Sequence, residues 1–215
     1  MNAVDLSLYG ILDPEHANNR DLAQLARAAI SGGVTLLQLR AKKLGKHESV
    51  ELARSVLKAI GDEAPLLVND DPAVAKAAGA AGVHLGQEDM APAAARQMLG
   101  PDAIIGLTIK ALDHARHAPV DIIDYACIGG VFDTKSKDNA TSIGIDGWRE
   151  RADILRGKSE HLPIGAIAGI TKANAASLIE AGADGIAVIS AIFGALDVEA
   201  AARSLAGEMA KARKR

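Results

Sequence analysis

Ala78-Gly79-Ala80-Ala81-Gly82-Val83 and Ala181-Gly182-Ala183-Asp184-Gly185-Ile186 are two copies of one joint, and Ser31-Gly32-Gly33-Val34 is a looser third. In each, an amphipathic stretch stops at a Gly and an apolar run begins a few residues later. Gly suits the first position because the residue after a helix often takes a positive φ. A helix that ends, turns briefly and enters a strand is the αβ connection of a repeating βα unit.

Working outward, apolar runs bounded by Gly or Pro predict strands at 6–12, 35–39, 66–68, 83–85, 104–107, 122–128, 164–167 and 186–189. Between them, stretches rich in Ala, Leu, Arg and Glu predict helices, among them 22–30, 50–60, 93–99, 173–181 and 198–212. Eight units in 215 residues allow about 27 residues each, enough for a compact βα module. The expected fold is α/β, a (β/α)8 TIM barrel. No Pro- or Ser-rich linker divides the chain, so residues 1–215 are expected to form a single domain. The competing architecture, a doubly wound open sheet, lacks its Gly-x-Gly-x-x-Gly fingerprint after the first strand.

With 49% hydrophobic and 24% charged residues, the chain can bury a substantial core. A net charge of −3 gives no reason to expect nucleic acid or an anionic membrane as partner, so any phosphate affinity must be local. The apolar runs are too short to cross a bilayer, and residues 1–13 lack the basic and apolar segments of a secretory leader. A cytoplasmic location is expected. Cys127 is the only cysteine, which excludes an internal disulfide and a zinc site built on several thiolates.

In a βα barrel the residues just past each strand converge at one mouth. Here they are polar: Gln38, Arg40 and Lys42 after the second strand, Asn69 and Asp70 after the third, Asp89 after the fourth, Thr108 after the fifth. The sixth leads into Asp133-Thr134-Lys135-Ser136-Lys137, the seventh into Ala168-Gly169-Ile170-Thr171, and the eighth ends at Ile189-Ser190. Loops after strands seven and eight form a backbone cup suited to a monophosphate. Arg40 and Lys42, facing Asp70 and Asp89, suit a diphosphate chelated by Mg²⁺, which binds through a few carboxylates plus substrate phosphates. Two anion sites imply two phosphorylated substrates. The polar segment 133–147 is long enough for a lid that brings Lys137 into the cationic cage on closure.

The chain resembles the thiamine phosphate synthase family nearly end to end. The resemblance rests on Gln38-Leu39-Arg40-Ala41-Lys42, Val68-Asn69-Asp70-Asp71, Gly82-Val83-His84-Leu85-Gly86-Gln87-Glu88-Asp89, Gly130-Val131-Phe132-Asp133-Thr134-Lys135-Ser136-Lys137, Gly169-Ile170-Thr171 and Ala181-Gly182-Ala183-Asp184-Gly185. It implies transfer of a pyrimidinylmethyl group from a hydroxymethylpyrimidine diphosphate to a thiazole phosphate, with release of pyrophosphate. It further implies that Gln38, Leu39, Arg40, Ala41, Lys42, Asn69, Thr108 and Lys137 hold the pyrimidine diphosphate, with Arg40, Lys42 and Lys137 acting on the leaving group. Asp70 and Asp89 are implied as ligands of Mg²⁺. Thr134, Lys135, Ser136, Gly169, Ile189 and Ser190 are implied to contact the thiazole phosphate. Ala168 stands where the family usually has Gly, Ile109-Lys110 replace a more polar pair, and Thr108 and Ser136 each exchange one hydroxyl residue for the other.

Two alternatives accompany this reading: a thiazole tautomerase-like isomerase and a noncatalytic phosphate-ligand sensor. A homo-oligomer is compatible with the sequence. Asp71 before Pro72 reads as a helix N-cap rather than a metal ligand. His84 reads as lining the barrel, His114 and His117 as surface residues, and Cys127 as buried and inert.

Overall fold

The computed structural model describes residues 4–133 and 142–214. Among these, eight strands form one closed parallel barrel: β1 (Leu8–Leu12), β2 (Leu36–Leu39), β3 (Leu66–Asn69), β4 (Gly82–Leu85), β5 (Ile104–Ile109), β6 (Tyr125–Gly129), β7 (Ile164–Ile167) and β8 (Gly185–Val188). Each strand pairs with the next in sequence, and β8 returns to β1 through Leu8↔Ile186 and Gly10↔Val188. Around them lie α1 (Leu22–Ser31), α2 (Lys46–Ile60), α3 (Pro72–Ala78), α4 (Pro92–Leu99), α5 (Leu112–His117), α6 (Gly144–Lys158), α7 (Ala175–Glu180), α8 (Ser190–Phe193) and α9 (Val198–Ala212). The expected TIM barrel is present. No described helix is long and apolar enough to cross a membrane.

Side chains alternate across each strand, which creates two cores. Tyr9, Ile11, Leu36, Leu67, Ile104, Tyr125, Cys127 and Ala187 pack inside the barrel. Leu8, Leu37, Leu39, Val68, Val83, Ile105 and Ile128 pack outward against the helices. Both faces of the sheet are therefore apolar, and the strands read as continuous hydrophobic runs.

The repeated joints contain two glycines with different tasks. Gly79 and Gly182 take φ of 76° and 99°, as expected where a helix stops. The second glycine of each joint opens a strand and is required by its neighbour. A Cβ on Gly82 would lie 1.9 Å from the Ile104 carbonyl oxygen, and one on Gly185 would lie 1.6 Å from that of Leu6.

Several element ends differ from the sequence reading by one to four residues, and two of the differences have a plain local cause. Ile122 and Ile123 do not begin a strand, because their N–H groups bond back to the Pro119 carbonyl in a turn, and β6 starts at Tyr125. Gly144 and Gly147 do not belong to a loop, because they form the first turn of α6. Trp148, Ala152 and Leu155 recur at helical spacing and are buried, so this packing outweighs the low helix propensity of Gly. The expected lid therefore ends before Gly144, and its residues 134–141 lie outside the described part of the chain.

Asp71 caps α3 as expected, accepting from the N–H groups of Ala73 at 2.9 Å and Val74 at 3.2 Å. Lys46 lies 3.0 Å from its other oxygen. Partial burial pushes this carboxyl upward, but the Lys46 hydrogen bond and charge and the two capping N–H groups outweigh it and hold it below the usual carboxylate range. Asp71→Ala is expected to cost about 1 kcal/mol at neutral pH. Because the folded pKa is the lower one, this contribution is complete above the unfolded carboxyl's pKa and fades as pH falls through the folded value. Urea unfolding of both proteins at neutral and acid pH checks it, and a difference that does not shrink in acid contradicts the assignment.

Candidate active site

The turn after β3 and the turn after β4 bring two carboxylates together. Asp70 sits at φ 65°, a left-handed conformation that Asp tolerates better than most residues. Its N–H bonds to the His84 carbonyl oxygen at 2.9 Å, which pins the turn to β4. Asp89 folds back so that one carboxylate oxygen accepts the Gly86 N–H at 2.6 Å, and its carboxyl lies beside that of Asp70. Burial pushes the Asp89 carboxyl above its usual range. The Gly86 N–H pulls it back, the adjacent Asp70 raises it again, and Lys42 opposes that. Two carboxylates in contact must share a proton or a cation.

Lys42 Nζ lies 3.0 Å from Asp70 Oδ2 and keeps half its side chain exposed. Arg40 is held differently, by Asp13 at the end of β1, whose side chain is 1% exposed. One oxygen of Asp13 takes the Arg40 guanidinium, and the other caps a short 3-10 turn by accepting the Glu15 N–H at 2.9 Å. Asp13 was not singled out by the sequence, since Asp before Pro already has a sufficient reading as a turn cap. Its burial beside Arg40 reveals the second task.

Below these charges, a chain of hydrogen bonds crosses the barrel interior. Gln38 Nε2 donates to the Tyr9 hydroxyl, and the Tyr125 hydroxyl donates to the same oxygen at 2.9 Å. His84 Nδ1 lies 2.8 Å from the Tyr125 oxygen, and His84 Nε2 lies 2.7 Å from Thr108 Oγ1. His84 also stacks on Tyr125, with ring centroids 5.5 Å apart. Burial pushes His84 down to about 4, against a smaller upward pull from Asp70, so the imidazole is neutral at pH 7. Burial likewise raises both tyrosines, which stay protonated. Gln38 and Thr108 were legible as strand-end polar residues, whereas Tyr9 and Tyr125 were indistinguishable from ordinary core aromatics.

On the opposite side of the mouth, Gly169 follows β7 at φ 66°, packed so closely that a Cβ would lie 2.5 Å from the Asp133 carbonyl oxygen. Ala168 keeps φ 90°, a conformation natural to Gly, so its methyl is accommodated under local strain. Ile189 precedes α8 and Ser190 opens it, exposed at the mouth. The Ile192 and Phe193 N–H groups bond the Ile189 carbonyl at 3.2 and 2.9 Å, so in this four-residue helix only the N–H groups of Ser190 and Ala191 are placed to receive an anion. Thr134, Lys135, Ser136 and Lys137 lie outside the described residues.

The remaining expected site residues divide by direction. Asn69 ends β3 and lines a cleft of about 270 Å³ together with Ala41, Lys42, Asp70 and Asp71. Leu39 borders the same cleft but is buried, and it packs in the outer core. Ile109 is fully buried in that outer core as well, so its departure from the family pattern lies behind the barrel wall. His114 caps α5 from its surface, and His117 is exposed beside Asp113. Burial pushes the Cys127 thiol up to about 12, which leaves it unreactive.

A magnesium ion fits this donor set. Mg²⁺ takes oxygen ligands, commonly one or two carboxylates completed by water and substrate phosphate. Asp70 and Asp89 supply two carboxylates already in contact, and no group of three His, Cys, Asp or Glu occurs among the described residues to suit a metal caged by protein alone.

Known proteins resemble this chain over most of its length. A thiamine-phosphate synthase of Agrobacterium fabrum is 46% identical over 203 residues, covering 94% of this chain and 92% of that protein. One from Moorella thermoacetica is 42% identical over 208 residues, covering 96% and 97% respectively. The solved thiamine phosphate pyrophosphorylase of Pyrococcus furiosus superposes with a TM-score of 0.84 at 34% identity, covering 98% of each chain. With the thiamine monophosphate synthase family model matching residues 8–192, the chain belongs to that family.

Proposed function

We propose that this chain is a thiamine-phosphate synthase acting in thiamine biosynthesis. It joins 4-amino-2-methyl-5-hydroxymethylpyrimidine diphosphate to hydroxyethylthiazole phosphate, giving thiamine phosphate and pyrophosphate. The observation that carries this reading is the pairing of Asp70 and Asp89 with Lys42 beside them, while Arg40, from the same loop as Lys42, is held by Asp13. Such a grouping has no use in isomerising a single monophosphate whose phosphate stays intact, which disfavours the isomerase reading.

Asp70 and Asp89 would hold Mg²⁺, which when bound neutralises charge on the diphosphate. Arg40 offers a planar fork to phosphate oxygens, kept in orientation by Asp13, and Lys42 supplies a movable point charge once released from Asp70. As the bond between the pyrimidine methylene and the diphosphate oxygen breaks, the electron pair leaves with pyrophosphate, and these cations stabilise the growing negative charge. The methylene cation that remains is delocalised into the aminopyrimidine ring. The thiazole nitrogen then donates its lone pair to form the new carbon–nitrogen bond. No protein nucleophile is needed, consistent with the inert Cys127. Alignment of the two substrates across the mouth removes several kcal/mol of barrier.

Mixing the purified protein with both substrates tests this directly. Pyrophosphate release that requires Mg²⁺ and both substrates is expected; an isomerase or a sensor gives none, and a null result with folded protein ends the proposal.

A further inference from the structure

β5 is followed directly by a cation, and the pleat turns it into the mouth. Ile104 packs in the inner core and the Thr108 hydroxyl meets His84 inside the barrel, whereas Ile105, Leu107 and Ile109 pack outward. Lys110 therefore falls on the inward face, in step with Gly106 and Thr108. The register Gly106↔Tyr125 and Thr108↔Cys127 sets Gly129 of β6 beside it. Gly129 has no side chain, and the gap is occupied by its neighbours: a Cβ built there would lie 3.8 Å from Lys110 Cγ, 3.7 Å from Thr108 Cγ2 and 3.6 Å from Ile167 Cγ2. The lysine stem thus lies against the end of β6, on the side of β5 away from the carboxylates that follow β3 and β4. Its backbone is clamped, because Arg151 of α6 donates to its carbonyl oxygen at 2.8 Å and its N–H points to His114 Nδ1 at 3.3 Å. Its ammonium is uncommitted. Lys42, Lys43 and Lys46 each pair with a carboxylate, whereas Lys110 is exposed and meets no carboxylate among the described residues.

We propose that Lys110 is a further substrate-binding residue, whose ammonium pairs with the phosphate of the thiazole substrate. The inference rests on the proposed reaction and adds a charged partner for its second substrate. Ile167, which flanks the same gap as the lysine stem, stands two residues before Gly169. Around that turn Gly169, Ile189 and Ser190 offer backbone groups and one hydroxyl but no charge, and Asp133, packed against Gly169, adds an exposed carboxylate. A phosphate dianion placed there gains from a cation that nothing else neutralises, because a hydrogen bond between charged partners is the stronger kind. Lysine suits the task, since a flexible stem carries its point charge to wherever the phosphate settles. The diphosphate, in contrast, has its own lysine across the mouth, Lys42 beside Asp70.

Steady-state kinetics of the full chain, with each substrate varied in turn, test the pairing. Lys110→Met is expected to raise KM for hydroxyethylthiazole phosphate about tenfold while leaving kcat and KM for the pyrimidine diphosphate within about twofold. Lys110→Arg keeps the charge and is expected to stay within about threefold of the wild type. If Lys110→Met does not fold, Lys110→Gln is expected to give the same pattern. Calorimetry supplies a second arm that needs no turnover. Hydroxyethylthiazole phosphate titrated into protein holding Mg²⁺ and pyrophosphate is expected to bind Lys110→Met about tenfold more weakly than wild type, whereas the unphosphorylated thiazole alcohol, used as a competitor, is expected to bind both alike. A thiazole phosphate affinity within twofold of wild type, a rise confined to the pyrimidine diphosphate KM, or an equal loss for the alcohol overturns the proposal. A wild type that binds the thiazole phosphate but releases no pyrophosphate defeats the proposed reaction alone, and the calorimetric comparison then decides the pairing. A wild type that binds no thiazole phosphate defeats both.

Discussion

Asp89→Ala is expected to lower the rate of pyrophosphate release about 1000-fold while changing the affinity for the thiazole phosphate by no more than about twofold. The asymmetry follows from geometry. Asp89 shares its environment with Asp70, Gly86 and Lys42, on turns after β3 and β4 and near β2. Gly169 follows β7, and Ile189 and Ser190 follow β8, across the mouth. Removing the carboxylate leaves one acidic ligand where two had been in contact, and it frees the Gly86 N–H of its partner. Titration calorimetry with the thiazole phosphate, beside single-turnover pyrophosphate release, separates the two effects. Equal loss of both would remove the case for separate sites.

A pH dependence accompanies this. Burial and Asp70 hold the Asp89 carboxyl above its usual value, so below that value a proton competes with the metal for the pair. The affinity for Mn²⁺, a spectroscopic substitute for Mg²⁺, is expected to weaken about tenfold per unit as pH falls below the Asp89 pKa. Asp89→Asn should flatten that slope, and an unchanged slope assigns the proton elsewhere.

Gly185→Ala is expected to be the most damaging single-methyl change, costing about 4 kcal/mol or more and leaving little folded protein. The added Cβ would lie 1.6 Å from the Leu6 carbonyl oxygen and 2.3 Å from its carbon. Backbone, not a flexible side-chain tip, is in the way. Relief requires β1 and β8 to separate, and their pairing is the seam that closes the barrel. Gly79→Ala is the informative control: its φ of 76° disfavours Ala, but a Cβ meets nothing within 4 Å, so about 1 kcal/mol is expected. Denaturant midpoints of the two variants compare them. Similar losses would mean that helix stopping, and not strand approach, governs both glycines.

The joints themselves show how far reading the chain reaches. Their first glycine was legible because positive φ after a helix is a local requirement, met by the residue's own backbone. Their second glycine was not, because the atom that forbids its Cβ belongs to Leu6 or Ile104, brought there by strand pairing. The same division holds in the site. Arg40, Lys42, Asp70 and Asp89 stood out because charged side chains at the ends of short apolar runs seldom serve packing. Asp13, Tyr9, His84 and Tyr125 did not, because each has an adequate local reading as cap or core. Their roles exist only in company, and the two tyrosines that meet at 2.9 Å are 116 residues apart.

By itself the sequence determined the βα repeat, the closed barrel it implies, and the ends of strands at which polar groups gather, since periodicity, helix stops and charge are properties of neighbouring residues. Only the tertiary structure decided which face of each strand looks inward, that Leu39 packs outward while Gln38 enters the interior, and which buried polar groups meet there. The physical reason is that a parallel strand covered on both faces is apolar on both, so its inward side is chosen by barrel closure and not by any pattern along the chain.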